Sequence, residues 1–238
     1  MNYFKLMARR SGFAALTIVV MGMCLGKNAR ADDIAASFSA TSNPNGPWSY
    51  GTYTEAASSF TLFTTNGTSC AGLPFWAAPG DFPIVQANNT GSTQGCGTVT
   101  IPTDTLGLHP ENAPGVDADV RWTAPSSGTY LINGNFSSLD STTTADQILL
   151  NGLSVFSTNI NPSNPSSGFS LTETLAAGST LDFIVNCCSG SDQSFFNDST
   201  GLQGTIDLSS TATPEPSSLL LAFSALALLF PLIRHRLS

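Results

Sequence analysis

The sequence predicts an all-β fold: an antiparallel β-sandwich of jelly-roll type, with an N-terminal signal helix and a C-terminal transmembrane helix outside it. Three observations lead there. Between residue 32 and about residue 212, apolar residues alternate with polar ones instead of recurring at helical spacing. Clusters of Gly, Pro, Asn and Ser interrupt that alternation at roughly 10-residue intervals, the rhythm of a sandwich or barrel. The two apolar runs that escape the pattern lie at the ends of the chain, each beside basic residues.

Residues 1–31 read as a signal peptide. Lys5, Arg9 and Arg10 form a basic start, an apolar run follows from about Phe13 to Leu25, and Ala29-Arg30-Ala31 precedes Asp32. A positive segment, a short apolar segment and small residues at −3 and −1 are the features that signal peptidase reads. The run is short for a bilayer span.

Residues 32–212 then form one domain, large enough for a real core. Its first part, residues 32–114, is rich in loops, with strands expected at residues 57–63 and 84–85. Residues 115–210 are regular. Val116–Thr123 is the clearest strand, closed by Ala124-Pro125-Ser126-Ser127-Gly128. Residues 129–136 follow, and then 147–150 and 153–156 form a hairpin about the Asn151-Gly152 turn. Strands at 168–175, 180–185 and 204–208 complete the set. A final strand returning beside an early one is what makes the jelly roll the favoured sandwich.

Residues 213–238 carry Thr213-Pro214-Glu215-Pro216, an apolar stretch of about 17 residues, and Arg234-His235-Arg236. The stretch is at the short end of what crosses a bilayer, and the arginines after it would hold that end in the cytoplasm. Pro-Glu-Pro, one span and a terminal basic cluster together resemble the PEP-CTERM sorting signal of exported bacterial proteins. The resemblance implies an inner-membrane precursor processed by an exosortase, with Pro214, Glu215, Pro216, Arg234 and Arg236 as the sorting motif. The mature form would reside at the cell surface or in the extracellular matrix. Further stretches resemble a module found in such proteins: Asn43–Gly51, Leu108-His109-Pro110, Val120–Tyr130 and Asp198-Ser199-Thr200. That resemblance supports the sandwich and implies no particular activity.

Charge narrows the partners. All 16 acidic residues lie between Asp32 and Glu215, where Arg121 is the sole Lys or Arg, giving that stretch a net charge of −15. So acidic a chain repels phosphate backbones, which excludes nucleic acid as a partner. Arg121, next to Trp122 and within reach of Asp117 or Asp119, is expected in a structural ion pair. Cys70, Cys96, Cys187 and Cys188 form an even set in the exported part and are candidate disulfides. A local Cys70–Cys96 bridge is the simplest pairing, and adjacent Cys187 and Cys188 point to opposite faces of a strand.

No catalytic constellation emerges, and we expect no enzymatic activity. His109 is the single histidine of the exported part, and no nucleophile-elbow motif accompanies it. The leading expectation is a structural, non-enzymatic surface protein. The alternative is a carbohydrate-binding module for exopolysaccharide, and a secreted hydrolase ranks third. Sugar recognition would recruit aromatic faces from Pro- and Gly-rich loops, making Trp48, Tyr50 and Trp76 the candidate ligand-binding residues. No cofactor is required by the sequence. Asp192, Asn197 and Asp198 form a small acidic loop whose hard oxygens are a candidate Ca²⁺ site.

Overall fold

The computed structural model describes residues 31–187 and 194–209. The signal segment, Cys188, Asp192 and the whole sorting motif lie outside the described residues. Within them the chain is all-β, and a single 3-10 turn at Glu55–Ala57 is its only helix. No described helix is long and apolar enough to cross a membrane.

In chain order the strands are β1 (Asp32–Asp33), β2 (Trp48–Thr54), β3 (Ser59–Leu62), β4 (Thr65–Thr68), β5 (Pro74–Ala77), β6 (Ile84–Asn88), β7 (Gln94–Cys96) and β8 (Val99–Ile101). They continue with β9 (Thr105–His109), β10 (Val116–Thr123), β11 (Gly128–Ser138), β12 (Thr144–Leu150), β13 (Leu153–Ile160), β14 (Ser166–Leu175), β15 (Thr180–Asn186) and β16 (Thr200–Leu208). One sheet runs β14-β11-β16-β9-β6-β5-β4 with β1 also on β16; the other runs β13-β12-β15-β10-β2-β3. From β9 onward the chain alternates between sheets except at the β12–β13 hairpin, so that β9-β16-β11-β14 belongs to one sheet and β10-β15-β12-β13 to the other. The final strand returns beside the early β9, with Leu202 opposite Leu106.

The regular half of the sequence folds close to its expected strands because their alternation matches burial. On β10, Ala118, Val120 and Trp122 enter the core, and the residues between them face the other way. The Asn151-Gly152 turn takes positive φ at both positions (50° and 82°), as a two-residue hairpin loop requires. Inside, Phe136, Phe156, Phe169 and Phe183 form an aromatic cluster, with Phe136 and Phe169 centroids 5.6 Å apart. Gly134 makes room for it: a Cβ there would lie 2.1 Å from the Gln203 carbonyl oxygen and 2.6 Å from the Phe169 ring.

The loop-rich half is more regular than its composition suggests. Its strands join the same two sheets, and β7 and β8 form a separate two-stranded hairpin. Trp48 and Tyr50 sit on β2, opposite Trp122 and Val120 of β10. The Asn43 side chain acts as a surrogate strand partner. Its Oδ1 accepts from the Tyr50 amide at 2.9 Å, and its Nδ2 donates to the carbonyls of Tyr50 and Phe63 at 2.8 and 3.0 Å. That lets a strand begin directly after a Pro- and Gly-rich turn.

Candidate functional site

The outer face of the first sheet is small-featured where β6, β9 and β16 meet, and a second layer settles on it. Gly107 of β9 is essential to that approach, since a Cβ would come within 3.2–3.4 Å of Ile101, Gln86 and Leu139. Leu73, Ile101 and Leu139 close over the face as a small core of their own. Asn88, at the end of β6, pins the layer down by donating from Nδ2 to the Ile101 carbonyl at 2.8 Å. The Thr100 amide donates to the Leu139 carbonyl at 2.8 Å. The Cys70–Cys96 disulfide ties the loop before β5 to the β7–β8 hairpin.

Between this layer and the sheet lies a cavity of about 300 Å³, at the small end of the roughly 300–1,000 Å³ range of ligand sites. Phe82, Ile84, Gln86 and His109 form one side and the disulfide, Thr98 and Val99 another, with Asp140, Asn197 and Ser199 at the rim. An aromatic wall stands beside it: the His109 ring lies 4.7 Å from Phe82 and 5.6 Å, edge-on, from Phe195. Phe195 in turn packs on Phe196, which is 69% exposed.

Two buried oxygens lining the cavity, Gln86 Oε1 and Ser69 Oγ, have no hydrogen-bond partner in the protein. Buried polar atoms are rarely left in that state. Asp140 is oriented by the Thr98 hydroxyl on Oδ2 at 2.9 Å and the Ser141 amide on Oδ1 at 2.8 Å. Nδ1 of His109 lies 2.9 Å from the Pro110 carbonyl, which can only accept, so Nδ1 carries the proton. Burial lowers the His109 pKa, against smaller opposing effects of that hydrogen bond, Asp140 and Glu111. The ring is therefore neutral near pH 7, and Nε2 keeps a free lone pair.

The residues expected from the sequence fall elsewhere. Trp48 and Tyr50 are 1% and 0% exposed, so they are core residues and cannot stack on a ligand. Trp76 is buried as well, its indole N–H donating to the Ser39 carbonyl at 2.7 Å. Their alternation on β2 and β5 turns them inward, which their Pro- and Gly-rich surroundings concealed. Of the acidic loop, two of the three residues are described. Asp198 is buried and accepts from the Thr143 amide at 2.9 Å, Asn197 borders the cavity, and Asp192 is outside the described residues. Among the described residues no three His, Cys, Asp or Glu side chains are grouped to share a metal ion. The Cys70–Cys96 bridge is present as expected, and Cys187 is also disulfide-bonded.

Arg121 pairs with neither Asp117 nor Asp119. Its strand neighbour across the sheet is Asp182 of β15, which accepts from Nε at 2.5 Å and from a terminal guanidinium nitrogen at 3.1 Å. Asp117 and Asp119 share its face of β10, four and two residues away, and side chains on one strand face project alongside one another. The guanidinium carbon stands 4.3 Å over the Phe60 ring.

Gln86, Ser69, Phe82, Phe195 and Asp140 were not singled out from the sequence. Two signals were available: the Cys70–Cys96 spacing, and the Leu108-His109-Pro110 and Asp198-Ser199-Thr200 segments. The fold brings both segments to the same cavity, through His109 and Ser199.

No protein-family model and no curated protein matches the chain. Similar solved structures include the family 51 carbohydrate-binding module of Clostridium perfringens GH95 in complex with methyl-galactose. It is 11% identical and covers 62% of this chain and 94% of its own, at a TM-score of 0.36. A family 35 carbohydrate-binding module from Clostridium thermocellum is 16% identical over 52% of this chain and 85% of its own, at 0.30. The enzymatically active domain of bacteriophage CBA120 tailspike protein 4 is 13% identical over 68% of this chain and 19% of its own, at 0.32. Likenesses this distant assign nothing to this chain.

Proposed function

We propose that this chain is an exported surface or matrix protein whose β-sandwich, read as a jelly roll from its alternating strand order, binds a saccharide without cleaving it. The observation that carries this reading is the cavity on β6 and β9, lined by the Phe82 and His109 rings in contact and by the polar side chains of Gln86, Asp140 and Asn197. A sugar ring offers the complement to both, with an apolar face for Phe82 and hydroxyl groups for Gln86, Asp140, Asn197 and His109. Binding is favoured over hydrolysis by the carboxylates. Glycoside hydrolysis needs two facing one bond, and Asp140 is the one carboxylate among the described lining residues.

In affinity electrophoresis the exported chain, starting at Asp32, should be retarded by at least one polysaccharide of its host. Gln86→Leu, which keeps the side chain's bulk but not its oxygen, should abolish most of the retardation while leaving the melting temperature within a few degrees. Unchanged mobility across neutral, acidic and amino polysaccharides would remove the reading.

Export and sorting rest on the two ends of the sequence. The Pro214-Glu215-Pro216 segment, the apolar span and the terminal arginines support processing by an exosortase at the inner membrane. Intact-mass analysis of protein from the native host should give a chain that begins at Asp32 and ends near Pro216. A mass that retains the span would instead make the tail a permanent anchor.

A further inference from the structure

We propose that the preferred ligand of this cavity is a cationic amino sugar, the protonated hexosamine of a polysaccharide lacking its N-acetyl groups. This rests on the saccharide-binding reading above and goes beyond it by fixing the charge of the ligand.

Asp140 is the one charged side chain among the described residues that line the cavity, and its carboxylate is an acceptor. That carboxylate is held in place by Thr98 and Ser141, and His109 offers Nε2 because its Nδ1 proton is committed to Pro110. Ser69 Oγ can act either way. Among the described residues no Lys or Arg lines the cavity. Arg121, the sole Lys or Arg among the described residues, is on the other sheet and engaged by Asp182. A uronate, sulfate or phosphate group would therefore enter without a counter-charge, against the field of a stretch of net charge −15. An ammonium group has the opposite balance: three N–H donors for the Asp140 carboxylate and His109 Nε2, and attraction to the face of Phe82. A quaternary ammonium would satisfy the aromatic face but leave the acceptors unpaired, which favours a primary amine on a hydroxylated ring.

The test is calorimetric titration of the exported chain with four probes of matched length: glucosamine oligosaccharide, its N-acetylated counterpart, a neutral gluco-oligosaccharide and an oligouronate. The glucosamine probe should bind at least tenfold more tightly than the N-acetylated one, and the uronate should not bind. Asp140→Asn should weaken glucosamine binding about tenfold without lowering the melting temperature, whereas Glu173→Gln, on β14 away from the cavity, should leave it unchanged. Equal loss from both variants would mean diffuse attraction between a polycation and an acidic surface, and would overturn the proposal. Neutral or N-acetylated probes binding as tightly as glucosamine would overturn it too, leaving the saccharide reading intact. Binding of no probe at all would overturn both.

Discussion

Replacing Arg121 with Ala should cost the sandwich about 3 kcal/mol, the low end of the roughly 3–5 kcal/mol seen when one member of a buried ion pair is removed. The side chain of Asp182 is 1% exposed, so without the guanidinium its charge has neither a partner nor water. Arg121 itself is 24% exposed, which places the expected value low in that range. The loss also removes the packing of the guanidinium over Phe60. For a domain of this size the melting temperature should fall by about 6–12 °C, read by circular dichroism. Arg121→Lys should recover only part of this, because an ammonium cannot reproduce the two-nitrogen contact. Pairing Arg121→Met with Asp182→Leu should recover most of it, since the stranded charge is then gone. A loss below about 0.5 kcal/mol for Arg121→Ala would mean that the pair behaves as a surface contact.

The second large effect is a stability that declines as pH rises. Asp117 is buried on the same sheet face, and neither of its carboxyl oxygens has a hydrogen-bond partner. Burial, with Glu55 adding repulsion, pushes its pKa up to about 8. Asp119 and Asp146 are raised in the same direction, chiefly by burial. In the unfolded chain these groups ionise near pH 4. Between about pH 4 and pH 8 the folded state therefore holds protons that the unfolded state releases, and by linkage the free energy of unfolding falls as pH rises. From pH 5 to pH 8 the Asp117 contribution alone is on the order of 3 kcal/mol, or a melting temperature lower by about 10 °C. Asp117→Asn mimics the protonated form and should stabilise the chain at pH 8 while changing little at pH 4. A melting temperature that is flat or rising from pH 5 to pH 8 would contradict this account. The direction is opposite to that of proteins whose carboxylates are ionised and paired when folded.

The candidate site was less legible in the sequence than the strands were. Strand β10 could be read to the residue because alternation is a local property: each side chain's face follows from its neighbours one position away. Trp48 and Tyr50 were misread for a related reason. Their strand begins straight after Asn43-Pro44-Asn45-Gly46-Pro47, and its missing neighbour is supplied by the Asn43 side chain, which no periodicity reveals. Arg121 was recognised as an ion-pair residue from its solitude among acids, but its partner lies 61 positions away on β15.

The sequence by itself determined the β class, the main strands from Val116 onward and the acidic character of the domain, and made Cys70–Cys96 the simplest disulfide pairing, because each depends on composition or on residues close in the chain. Tertiary structure decided which aromatics are core and which border the cavity, which carboxyl meets Arg121, and where the site is. Gln86, His109, Asp140 and Ser199 span more than 100 positions and meet only because β6, β9 and β16 are neighbours in one sheet, with the Asp140 loop laid over them. The pairing of distant strands sets that neighbourhood through register and burial summed over two whole sheets, and no local stretch of the chain encodes it.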